Sequence, residues 1–509
     1  SSFRNVGSRI LAMAAAEAVP RFLVLGGNLP GLASAFFLRR SLPHARITVV
    51  EPSGQCGAGI LSVRGQRGQL FEQGFHSSVL VNRTGREMLG LVKLLNLDEE
   101  LISANIEASA RRHLYHFGKV QLFPRLQHML RYGPAILAEP LWSRSSSDDE
   151  SVHDFVARRM SAAVADRIAD PICLGQFAGD ARSLSVRTCF PRLWFNERRF
   201  RSVFLGMGIG MLPAHGRRSW LSLDLFDPLL QRVATGGRCY SFKEGLSTLV
   251  RQLEDRLCTP APGMRPVEIL KSTAAVKLVE EEQGVEVTLS SGQSVTADAV
   301  LAATPPRDLA ALLRASGLDP SHGDASMCSI LDSIEYEPVT VVNLSFDTDV
   351  LRGRFRGAGY FCGSLEKQAV LGMSWDSQLF PQQGAAPNES RVTVYVGGQH
   401  SASSGNPEDV AVDAVRKHLG VEDSPAEVCA TVWDKAVPQY VVGHHRKMQS
   451  LNAARRRHLP WLQVVGSGYF GARSPADEVV DARLLSDALS HRFRRFPGFV
   501  ENETGEDVR

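Results

Sequence analysis

The pattern of apolar residues near the start of the chain changes its period twice over a short stretch. An apolar, β-branched run ends at Val24 and Leu25 and passes directly into glycines. From Leu32 onward the apolar positions recur at the three- and four-residue spacing of a helix. A second apolar run, residues 47–50, then closes on Glu51. This order predicts a strand, a helix and a second, parallel strand.

The turn between the first strand and the helix carries a dinucleotide-binding pattern with one exception. Glycines stand at Gly26 and Gly31, but Asn28 occupies the place of the middle glycine, where bare backbone lets a pyrophosphate approach. Glu51 follows Gly31 by about 20 residues, the spacing of an acid that binds a ribose hydroxyl. The pattern predicts a Rossmann-type unit in which the Asn28 side chain lies where the pyrophosphate belongs. Whether the turn still binds a nucleotide stays open at this point.

Later segments of the chain show both strand and helix periods. Two short apolar runs around Gly65 and Gly68 predict a hairpin. Residues 461–465 form an apolar run typical of a strand buried on both faces, so we expect it in one mostly parallel sheet with the strands at Val24 and Val49. The other predicted elements are hairpin strands 285–289 and 295–303, strands 339–346 and 391–397, and helices 86–95, 151–168 and 476–489.

Composition and charge narrow the classes of function. The chain has 509 residues, 44% of them hydrophobic and 22% charged, which is typical of a globular protein with more than one domain. The net charge of +3 is too small to favour nucleic acid as a partner. The eight cysteines stand far apart without a C-x-x-C pair, so we expect buried free thiols. No apolar run reaches the roughly 18 residues that a membrane-spanning helix needs.

The beginning of the chain has the composition of a targeting segment. Residues 1–20 are rich in serine, arginine and alanine, and Glu17 is the first acid. This composition resembles the end of a mitochondrial presequence. We therefore expect a mitochondrial protein whose residues 1–20 form a presequence-like or N-terminal extension.

Seven short motifs follow one another in an order that resembles the protoporphyrinogen oxidase family. They are SVRG at 62–65, FE at 71–72, FAG at 177–179, LSVR at 184–187, CFP at 189–191, VNL at 342–344 and PQY at 438–440. The resemblance extends from about residue 21 to residue 489. It implies an α/β (α+β) fold related to the FAD-dependent amine oxidases, with a Rossmann-like FAD-binding domain, a substrate domain that contains an antiparallel sheet, and a helical membrane-facing domain. It also implies oxidation of protoporphyrinogen to protoporphyrin, with electrons passing through FAD to oxygen.

The resemblance also implies an interleaved domain order. After the N-terminal extension we expect FAD-type segments at 21–100, 236–310 and 441–509, the last with a C-terminal tail. Substrate-domain segments are expected at 101–235, which includes the helical part, and at 311–440. The membrane-facing helices correspond to residues 139–213, where Trp142, Trp194, Phe195 and Phe204 are candidate anchors or, in a protein complex, interface residues.

Carried over residue by residue, the family's site falls on nine positions of this chain, none of them catalytic by itself and none a metal ligand. The cofactor-binding positions are Gly26, Gly27, Gly31, Glu51, Val276, which matches a valine that faces adenine, and Gly466. The substrate positions are Arg112, which matches an arginine that pairs with a propionate carboxylate, Gly359 and Phe361.

The departures from the family pattern cluster at the positions that contact the flavin. Asn28 replaces a glycine, Leu61 an arginine, His76 lies in a changed Gly-Pro-Arg-Gly loop, and Glu244 replaces a glycine. A closing Val-Asn-Asp motif becomes residues 474–476, Ser-Pro-Ala. On the substrate side, Ala358 and Tyr395 replace a phenylalanine and a methionine. A pyrophosphate requires open N–H groups and often an arginine, and the carboxylate of Glu244 is expected to repel it.

Three hypotheses follow from this pattern. The first is a catalytically degenerate homologue without stoichiometric flavin, used as a structural or accessory subunit of a mitochondrial complex with peripheral contact to the inner membrane. The alternative is an active FAD-dependent protoporphyrinogen oxidase of haem biosynthesis. The third is a chaperone that binds a tetrapyrrole in the former substrate cavity. The sequence does not name the complex, because interfaces carry no motif.

Overall fold

The computed structural model describes most of the chain outside its two ends. The described residues are 19–74, 78–80, 82–124, 133–134, 138–142, 144–210, 221–224, 226–237, 239–282, 284–319, 326–351, 353–398, 405–471 and 474–495. Almost all of the predicted N-terminal extension and the changed loop at His76 lie outside these residues.

The described residues form twenty strands. They are β1 Arg21–Leu25, β2 Arg46–Val50, β3 Ser62–Arg64, β4 Leu70–Glu72, β5 Val79–Leu80, β6 Leu101–Ser103, β7 Arg112–His116, β8 Lys119–Phe123, β9 Cys239–Phe242, β10 Glu268–Leu270, β11 Ala275–Glu281, β12 Gly284–Leu289, β13 Ser294–Ala297, β14 Ala299–Ala302, β15 Tyr336–Phe346, β16 Gly359–Cys362, β17 Val370–Ser374, β18 Ser390–Gly397, β19 Glu427–Pro438 and β20 Leu462–Val464.

Eighteen α-helical segments accompany the strands in the described residues. They are α1 Leu29–Ser41, α2 Arg83–Leu94, α3 Ile106–Ala110, α4 Val152–Arg159, α5 Ala162–Val164, α6 Asp170–Phe177, α7 Val186–Cys189, α8 Pro191–Phe200, α9 Val203–Gly210, α10 Pro228–Thr235, α11 Ser247–Cys258, α12 Pro306–Ala315, α13 Met327–Asp332, α14 Asp376–Leu379, α15 Pro407–Leu419, α16 His444–His458, α17 Ser467–Phe470 and α18 Pro475–Arg495. A π-helical turn at Ala165–Ala169 links α5 to α6.

The chain divides into two compact units. The first unit takes its described residues from Ser1–Ala58, Leu249–Ile334 and Arg446–Arg509, and the second from Gly59–Thr248 and Glu335–His445. The predicted domain order is also interleaved, but its five finer boundaries stay a prediction.

A five-stranded parallel sheet, in the order β10-β2-β1-β14-β20, forms the core of the first unit. Its strands are apolar and buried, which is typical of a parallel sheet covered on both faces. The prediction that Val24, Val49 and residues 461–465 share one parallel sheet is confirmed, with β14 lying between β1 and β20. Because β14 pairs with β1, the predicted hairpin strand 295–303 is wrong beyond Ala297. The chain leaves the hairpin β12–β13 there and enters the parallel sheet.

A seven-stranded sheet, in the order β19-β15-β18-β17-β16-β7-β8, forms the core of the second unit. One face, with Val342, Leu344 and Val394, packs against helix α15. The opposite face, with Val341 and Tyr395, packs against the helical part of the unit, including α4 and α6. The mixed fold, with a parallel sheet in one unit and a largely antiparallel sheet in the other, is therefore the predicted one.

A buried ion pair ties three segments of the helical part of the second unit together. Arg159 and Glu139 are both fully buried, and Arg159 Nε donates to Glu139 Oε1 over 2.7 Å. The same carboxylate accepts hydrogen bonds from Val203 N (3.0 Å) and Ser202 Oγ (2.6 Å). The guanidinium also donates to the Trp142 carbonyl over 2.7 Å. These contacts satisfy both charges, as a buried ion pair requires.

Two further sequence predictions can be compared with the described residues. All eight cysteines are free, but Cys258 is exposed and Cys56 and Cys429 are half-buried, so the expectation of buried thiols is wrong for these three. None of the helices in the described ranges is long and apolar enough to cross a bilayer.

Candidate cofactor and substrate sites

Three loops of the first unit meet at the carboxyl edge of its parallel sheet, where open α/β sheets bind ligands. They follow β1, β14 and β20. Asn28 Nδ2 donates to the Ala303 carbonyl over 2.7 Å, which joins the first two loops. A Cβ atom on Gly466 would lie 3.3 Å from the Pro30 ring, which places the third loop beside the first turn of α1. The predicted positions Gly26, Gly31 and Gly466 are therefore brought together.

Glu51 is held at the end of β2 by backbone donors. The side chain is 6% exposed, and its Oε2 accepts a hydrogen bond from Gly27 N over 2.7 Å. Its Oε1 accepts from Ser53 N (2.9 Å) and from Ser53 Oγ (2.7 Å). Because a carboxylate offers about four lone-pair sites, one remains for a ribose hydroxyl. The acid is thus fixed next to Gly27 in the place that the spacing predicts.

Gly31 is required by the close approach of helix α1 to the end of β1. A Cβ atom at this position would lie 2.0 Å from the Gly26 carbonyl oxygen, a distance that no side chain tolerates. In dinucleotide-binding units the last glycine has this packing role. Gly26, with φ of +106°, makes the sharp turn before it. The turn therefore keeps the backbone shape of a dinucleotide cradle.

Asn28 caps helix α1 with its own side chain. Its Oδ1 accepts a hydrogen bond from Gly31 N over 3.2 Å, while Nδ2 is bound to Ala303. Pro30 supplies no N–H, and Leu32 N donates to the Asn28 carbonyl over 2.9 Å. Within the described residues, this leaves Leu29 N as the one amide of the first turn without a protein acceptor. The start of helix α1 therefore offers an anion fewer free N–H groups than a turn with glycine at position 28 would.

Helix α18 begins with two acids in its first turn. Ser474 Oγ accepts from Asp477 N over 3.3 Å and donates to Asp477 Oδ2 over 2.9 Å. Burial raises the pKa of Glu478 to about 7, in spite of hydrogen bonds from Ser467 that favour the ionised form. Acids are stabilising at a helix N-terminus. Glu478 therefore places a carboxyl group with a pKa close to 7 beside the loop that contains Gly466.

Val276 lies on the hairpin sheet of the first unit, three residues after Thr273, whose N donates to the Glu51 carbonyl over 2.9 Å. It is 45% exposed and stands where the register of β11 against β12 shifts. Its predicted contact with adenine stays a prediction.

The predicted substrate residues share one face of the seven-stranded sheet in the second unit. Phe361 of β16 pairs with Leu114 of β7, so Arg112, two residues before Leu114, lies on the same face. Phe361 also pairs with Gly372, which in turn pairs with Tyr395. The register therefore places the basic side chain of Arg112 on the same face of the sheet as the aromatic side chains of Phe361 and Tyr395. Arg112 is exposed at the start of its strand.

Phe361 and Gly359 are both shaped by close packing. A Cβ atom on Gly175 would lie 2.0 Å from Phe361 Cδ1, so the ring rests directly on the backbone of helix α6. Gly359 has φ of +129°, and a Cβ atom there would lie 2.0 Å from the Met373 carbonyl oxygen. The structure thus gives Gly359 a backbone role, while Phe361 fixes the distance between α6 and the sheet.

A buried polar cluster lies on β4, β18 and α14 of the second unit and was not predicted from the sequence. Glu72 accepts hydrogen bonds from Ser62 Oγ (2.6 Å) and Leu246 N (2.8 Å), and burial raises its pKa to about 7. Burial also raises the pKa of Asp376, which accepts from Thr393 Oγ1 over 2.5 Å. An acid within the apolar run of β4 was the one available signal.

Arg391 completes this cluster as its buried cation. The residue is 1% exposed and donates to the carbonyls of Leu70 (3.1 Å) and Phe380 (2.6 Å). Its charge acts on both Glu72 and Asp376 and opposes the rise in their pKa values that burial causes. The cluster therefore places two acids and one cation inside the second unit.

Glu244, which was expected to repel a pyrophosphate, is paired with a cation. Arg64 donates to it from Nη2 over 2.5 Å and from Nε over 3.0 Å, a two-point contact on the surface of the second unit. The expected repulsion assumed an uncompensated carboxylate, so its physical basis is weaker than predicted.

The described part of the chain contains no candidate metal site. No group of three or more His, Cys, Asp or Glu side chains there is arranged to bind a metal ion.

Comparisons with known proteins identify a family and individual proteins that this chain resembles. Residues 29–469 match the model of the family described as flavin containing amine oxidoreductase. Human protoporphyrinogen oxidase is 31% identical over 469 residues, which cover 88% of this chain and 94% of the relative. Mitochondrial protoporphyrinogen oxidase of Nicotiana tabacum is 26% identical, with coverage of 88% and 90%.

A crystal structure supports the same fold. It is that of a protein from Exiguobacterium sp. 255-15, provisionally named protoporphyrinogen oxidase, with a TM-score of 0.73 and 19% identity over 93% of this chain and 99% of that one. The resemblance inferred from the motifs is thereby confirmed. The chain belongs to the protoporphyrinogen oxidase family of the flavin-containing amine oxidoreductases.

Proposed function

We propose that the chain is an FAD-dependent oxidoreductase that oxidises a porphyrinogen, with protoporphyrinogen as the expected substrate. The observation that carries the proposal is the hydrogen bond of 2.7 Å between Gly27 N and Glu51 Oε2. It fixes an acid beside the glycine turn, where a dinucleotide-binding unit receives an adenine ribose. The relatives named protoporphyrinogen oxidase supply the reaction class.

The residues at the carboxyl edge of the parallel sheet fit a dinucleotide at its adenosine end. Gly31 permits the close approach of α1, and Glu51 keeps an acceptor for a ribose hydroxyl. When bound, FAD supplies the two-electron oxidation that the family performs with oxygen as acceptor. Burial raises the pKa of Glu478 to about 7, so its carboxyl group beside the Gly466 loop is about half protonated near pH 7.

Two departures that favoured loss of the cofactor have less effect than the sequence suggests. The Asn28 side chain is bound to the Ala303 carbonyl rather than standing alone above the helix end. Glu244 is neutralised by Arg64. Leu61 in place of an arginine and Pro30 in place of an N–H donor still lower the number of phosphate contacts. We therefore expect FAD to bind, but more weakly than in a site with all of these groups.

The substrate face of the second unit has the chemistry of a tetrapyrrole site. Arg112 offers a guanidinium that pairs with a propionate carboxylate in two-point geometry. Phe361 and Tyr395, aligned by the strand register, offer aromatic surface for a pyrrole ring. Tyr395 replaces a methionine and Ala358 replaces a phenylalanine, so the first change reduces the space for the ring and the second enlarges it.

The flavin content of the full-length protein tests the proposal. The protein is purified from its native source, and its absorbance spectrum and the flavin released on denaturation are measured against protein concentration. We expect the purified protein to contain less than one flavin per chain, and the ratio to rise towards one when FAD is added. The protein loaded with FAD is expected to oxidise protoporphyrinogen. A spectrum without flavin bands both before and after addition of FAD would contradict it.

A second candidate function is a non-catalytic accessory subunit of a mitochondrial complex. The observation that favours it is the self-capping of both helix ends that face the sheet edge, by Asn28 at α1 and by Ser474 with Asp477 at α18. These bonds use groups that a flavin dinucleotide otherwise employs. This candidate predicts a protein that stays free of flavin even when FAD is supplied in excess.

Mitochondrial location and a peripheral contact with the inner membrane are part of both candidates. The tobacco relative is named as mitochondrial. In the second unit, five large apolar side chains are 43–86% exposed near the helical part, namely Leu141, Trp142, Phe195, Leu205 and Met207. Sedimentation of detergent-solubilised native mitochondria distinguishes the candidates. A monomer or dimer favours the oxidase, and a large assembly favours the accessory subunit.

A further inference from the structure

A cavity of about 520 Å³ opens in the first unit at the edge of the parallel sheet opposite the candidate cofactor site. It lies at the amino ends of β1 and β2, whereas the cofactor loops follow the carboxyl ends. Three arginines line it, Arg21, Arg46 and Arg265, with Glu268 as the one acid of the lining. The proposed oxidase function does not use this edge.

The strand register adds hydroxyl groups to the arginines. Arg46 and Thr48 are two residues apart on β2 and therefore lie on one face of the sheet, and Thr48 pairs with Glu268 on β10. Ser294 and Thr296 of β13 have the same two-residue spacing and also line the cavity. The lining thus combines guanidinium forks with hydroxyl donors.

The positive charge of the lining exceeds the negative charge. Arg21 is matched by Asp298, its Nη2 lying 2.6 Å from Asp298 Oδ1. The side chains of Arg46 and Arg265 make no hydrogen bond or ion pair with another described residue. Glu268 accepts a hydrogen bond from Thr48 Oγ1 at 3.4 Å and is not paired with either arginine in the described part of the chain.

Arg39 is a buried cation that shares a backbone acceptor with Arg265, a residue of the cavity lining. It is 2% exposed, and its Nη1 donates to the carbonyls of Pro43 and Ala45, both over 2.8 Å. Arg265 N donates to the same Pro43 carbonyl over 2.9 Å, so the two arginines flank one peptide. Burial, and then the charge of Arg265, lower the pKa of Arg39 to about 10.

The bonds of Arg39 to carbonyls at the end of α1 account for only part of its guanidinium. Its Nε and Nη2 atoms are buried and have no hydrogen-bond partner among the described residues. A buried guanidinium without an acid is unfavourable, and an anion nearby relieves it. Arg46 and Arg265 are exposed and have no acid partner among the described residues, so the cavity that they line is a place for such an anion.

We propose that this cavity binds a phosphate-bearing small molecule, with Arg46 and Arg265 as its guanidinium contacts and the hydroxyls of Ser294 and Thr296 as further donors. Arg46 and Arg265 together outweigh the single negative charge of Glu268, which favours an anion, and arginine forks suit phosphate oxygens. A volume of about 520 Å³ accommodates a phosphorylated molecule larger than inorganic phosphate. This site is separate from the proposed cofactor site and does not depend on it.

Calorimetric titration of the full-length protein tests the proposal. The protein is first saturated with FAD, so that the glycine turn does not supply a competing phosphate site, and its flavin content is recorded. Inorganic phosphate, ribose 5-phosphate and succinate are then titrated at fixed ionic strength. We expect both phosphates to bind, ribose 5-phosphate more tightly, and succinate to bind weakly. Equal binding of succinate, or no binding of either phosphate at millimolar concentration, would overturn the proposal.

Variants locate the binding within the molecule. The double variant Arg46→Gln, Arg265→Gln changes two exposed side chains and is expected to weaken phosphate binding by about tenfold or more. Arg457→Gln, an exposed arginine of α16 in the same unit, is the matched control and leaves the affinity unchanged. If the double variant binds phosphate as tightly as the wild type, the assignment of this cavity is wrong. Flavin content is expected to be the same in all three proteins, so failure here is distinguishable from failure of the cofactor site.

Discussion

Asn28 and Ala303, 275 residues apart in sequence, are joined by a hydrogen bond of 2.7 Å from Nδ2 to the carbonyl oxygen. This bond turns the side chain towards the end of β14, while Oδ1 remains on Gly31 N as the helix cap. A residue that replaces a glycine in a dinucleotide turn has thus become part of the scaffold of the turn. Whether it also obstructs a pyrophosphate can be measured directly.

The variant Asn28→Gly is expected to bind FAD more tightly than the wild type. It removes a side chain from the turn and returns Gly31 N to solvent, where it can meet a phosphate oxygen. Loss of the asparagine cap costs about 0.3–1 kcal/mol of stability, since glycine also serves as an N-cap. Flavin fluorescence titration measures the affinity, and urea unfolding measures the stability. We expect an affinity gain of about tenfold, worth ~1.4 kcal/mol.

Asn82 offers a matched control for this change. It caps helix α2 in the second unit, and its Oδ1 accepts from Gly85 N over 2.8 Å. Asn82→Gly is expected to lower stability by a similar amount without any change in FAD affinity. If Asn28→Gly leaves the affinity unchanged while both variants lose equal stability, Asn28 is a cap and no obstacle to the cofactor.

Glu72 is expected to make the stability of the protein fall as the pH rises. Burial raises its folded-state pKa from 4.5 to about 7, so the folded protein holds a proton that the unfolded chain releases. The stabilising contribution is complete below pH 4.5 and is lost as the pH rises through 7. Glu72→Gln mimics the protonated acid. We expect it to exceed the wild type in stability at pH 8, by at most about 3 kcal/mol, and to match it near pH 5.

Urea unfolding of both proteins from pH 5 to pH 8 measures this difference. Glu244→Gln, which removes an exposed acid of the same unit, is the control and is expected to show no comparable change with pH. Parallel pH profiles of the wild type and Glu72→Gln would show that Glu72 is ionised in the folded protein, with Arg391 compensating its charge.

His418 is expected to act in the opposite direction, at acid pH. Tyr360 Oη lies 2.5 Å from His418 Nδ1, and Gln368 Oε1 lies 3.2 Å from Nε2, an arrangement that suits the neutral ring. Burial, then the charge of Lys417, lower the pKa of His418 to about 4. Its folded-state pKa is below the unfolded value of 6.5, so the contribution is complete above pH 6.5 and is lost as the pH falls towards 4.

The variant His418→Gln tests this acid sensitivity. It keeps a polar side chain but does not titrate, so its stability relative to the wild type is expected to improve by up to about 3 kcal/mol between pH 7 and pH 4. Thermal unfolding over this range measures the change. His458→Gln, an exposed imidazole of α16, serves as the control. A constant difference between the wild type and His418→Gln over the whole range would refute the assignment.

The sequence predicts the parallel sheet and the ribose acid because both depend on local pattern. Buried parallel strands are continuous apolar runs, and Glu51 stands at a fixed spacing from the glycine turn. The seven-stranded sheet was predicted in part, through the strands at residues 339–346 and 391–397. The substrate residues Arg112 and Phe361 required the family resemblance, because nothing in their own neighbourhood marks them. Their roles remain predictions.

The features that the sequence did not predict depend on contacts between distant segments. Glu72 and Arg391 share one buried cluster although they belong to widely separated strands. The pairing of Glu244 with Arg64 spans 180 residues and weakens the repulsion expected from that carboxylate. Hydrophobic periodicity and motif spacing describe one segment at a time, so they do not predict such pairs.

The contact between Gly175 and Phe361 gives a prediction that separates packing from substrate chemistry. Gly175→Ala adds a methyl carbon that would lie only 2.0 Å from Phe361 Cδ1. Overpacking of this kind costs about 1–3 kcal/mol, because the ring and helix α6 must move apart. Phe361→Leu alone is expected to lose a similar amount through reduced packing.

The double variant Gly175→Ala, Phe361→Leu is expected to be more stable than the sum of the single changes allows, by about 1 kcal/mol or more, since the smaller side chain makes room for the methyl group. Urea unfolding of the four proteins measures the coupling. Gly54→Ala, at an exposed glycine whose nearest non-neighbouring atom would be 3.8 Å from the added carbon, is the control for glycine replacement itself. Simple additivity would show that Phe361 does not set the distance between α6 and the sheet. In that case the ring is free to move for a substrate, and the proposal of a tetrapyrrole site with a fixed Phe361 ring would have to be abandoned.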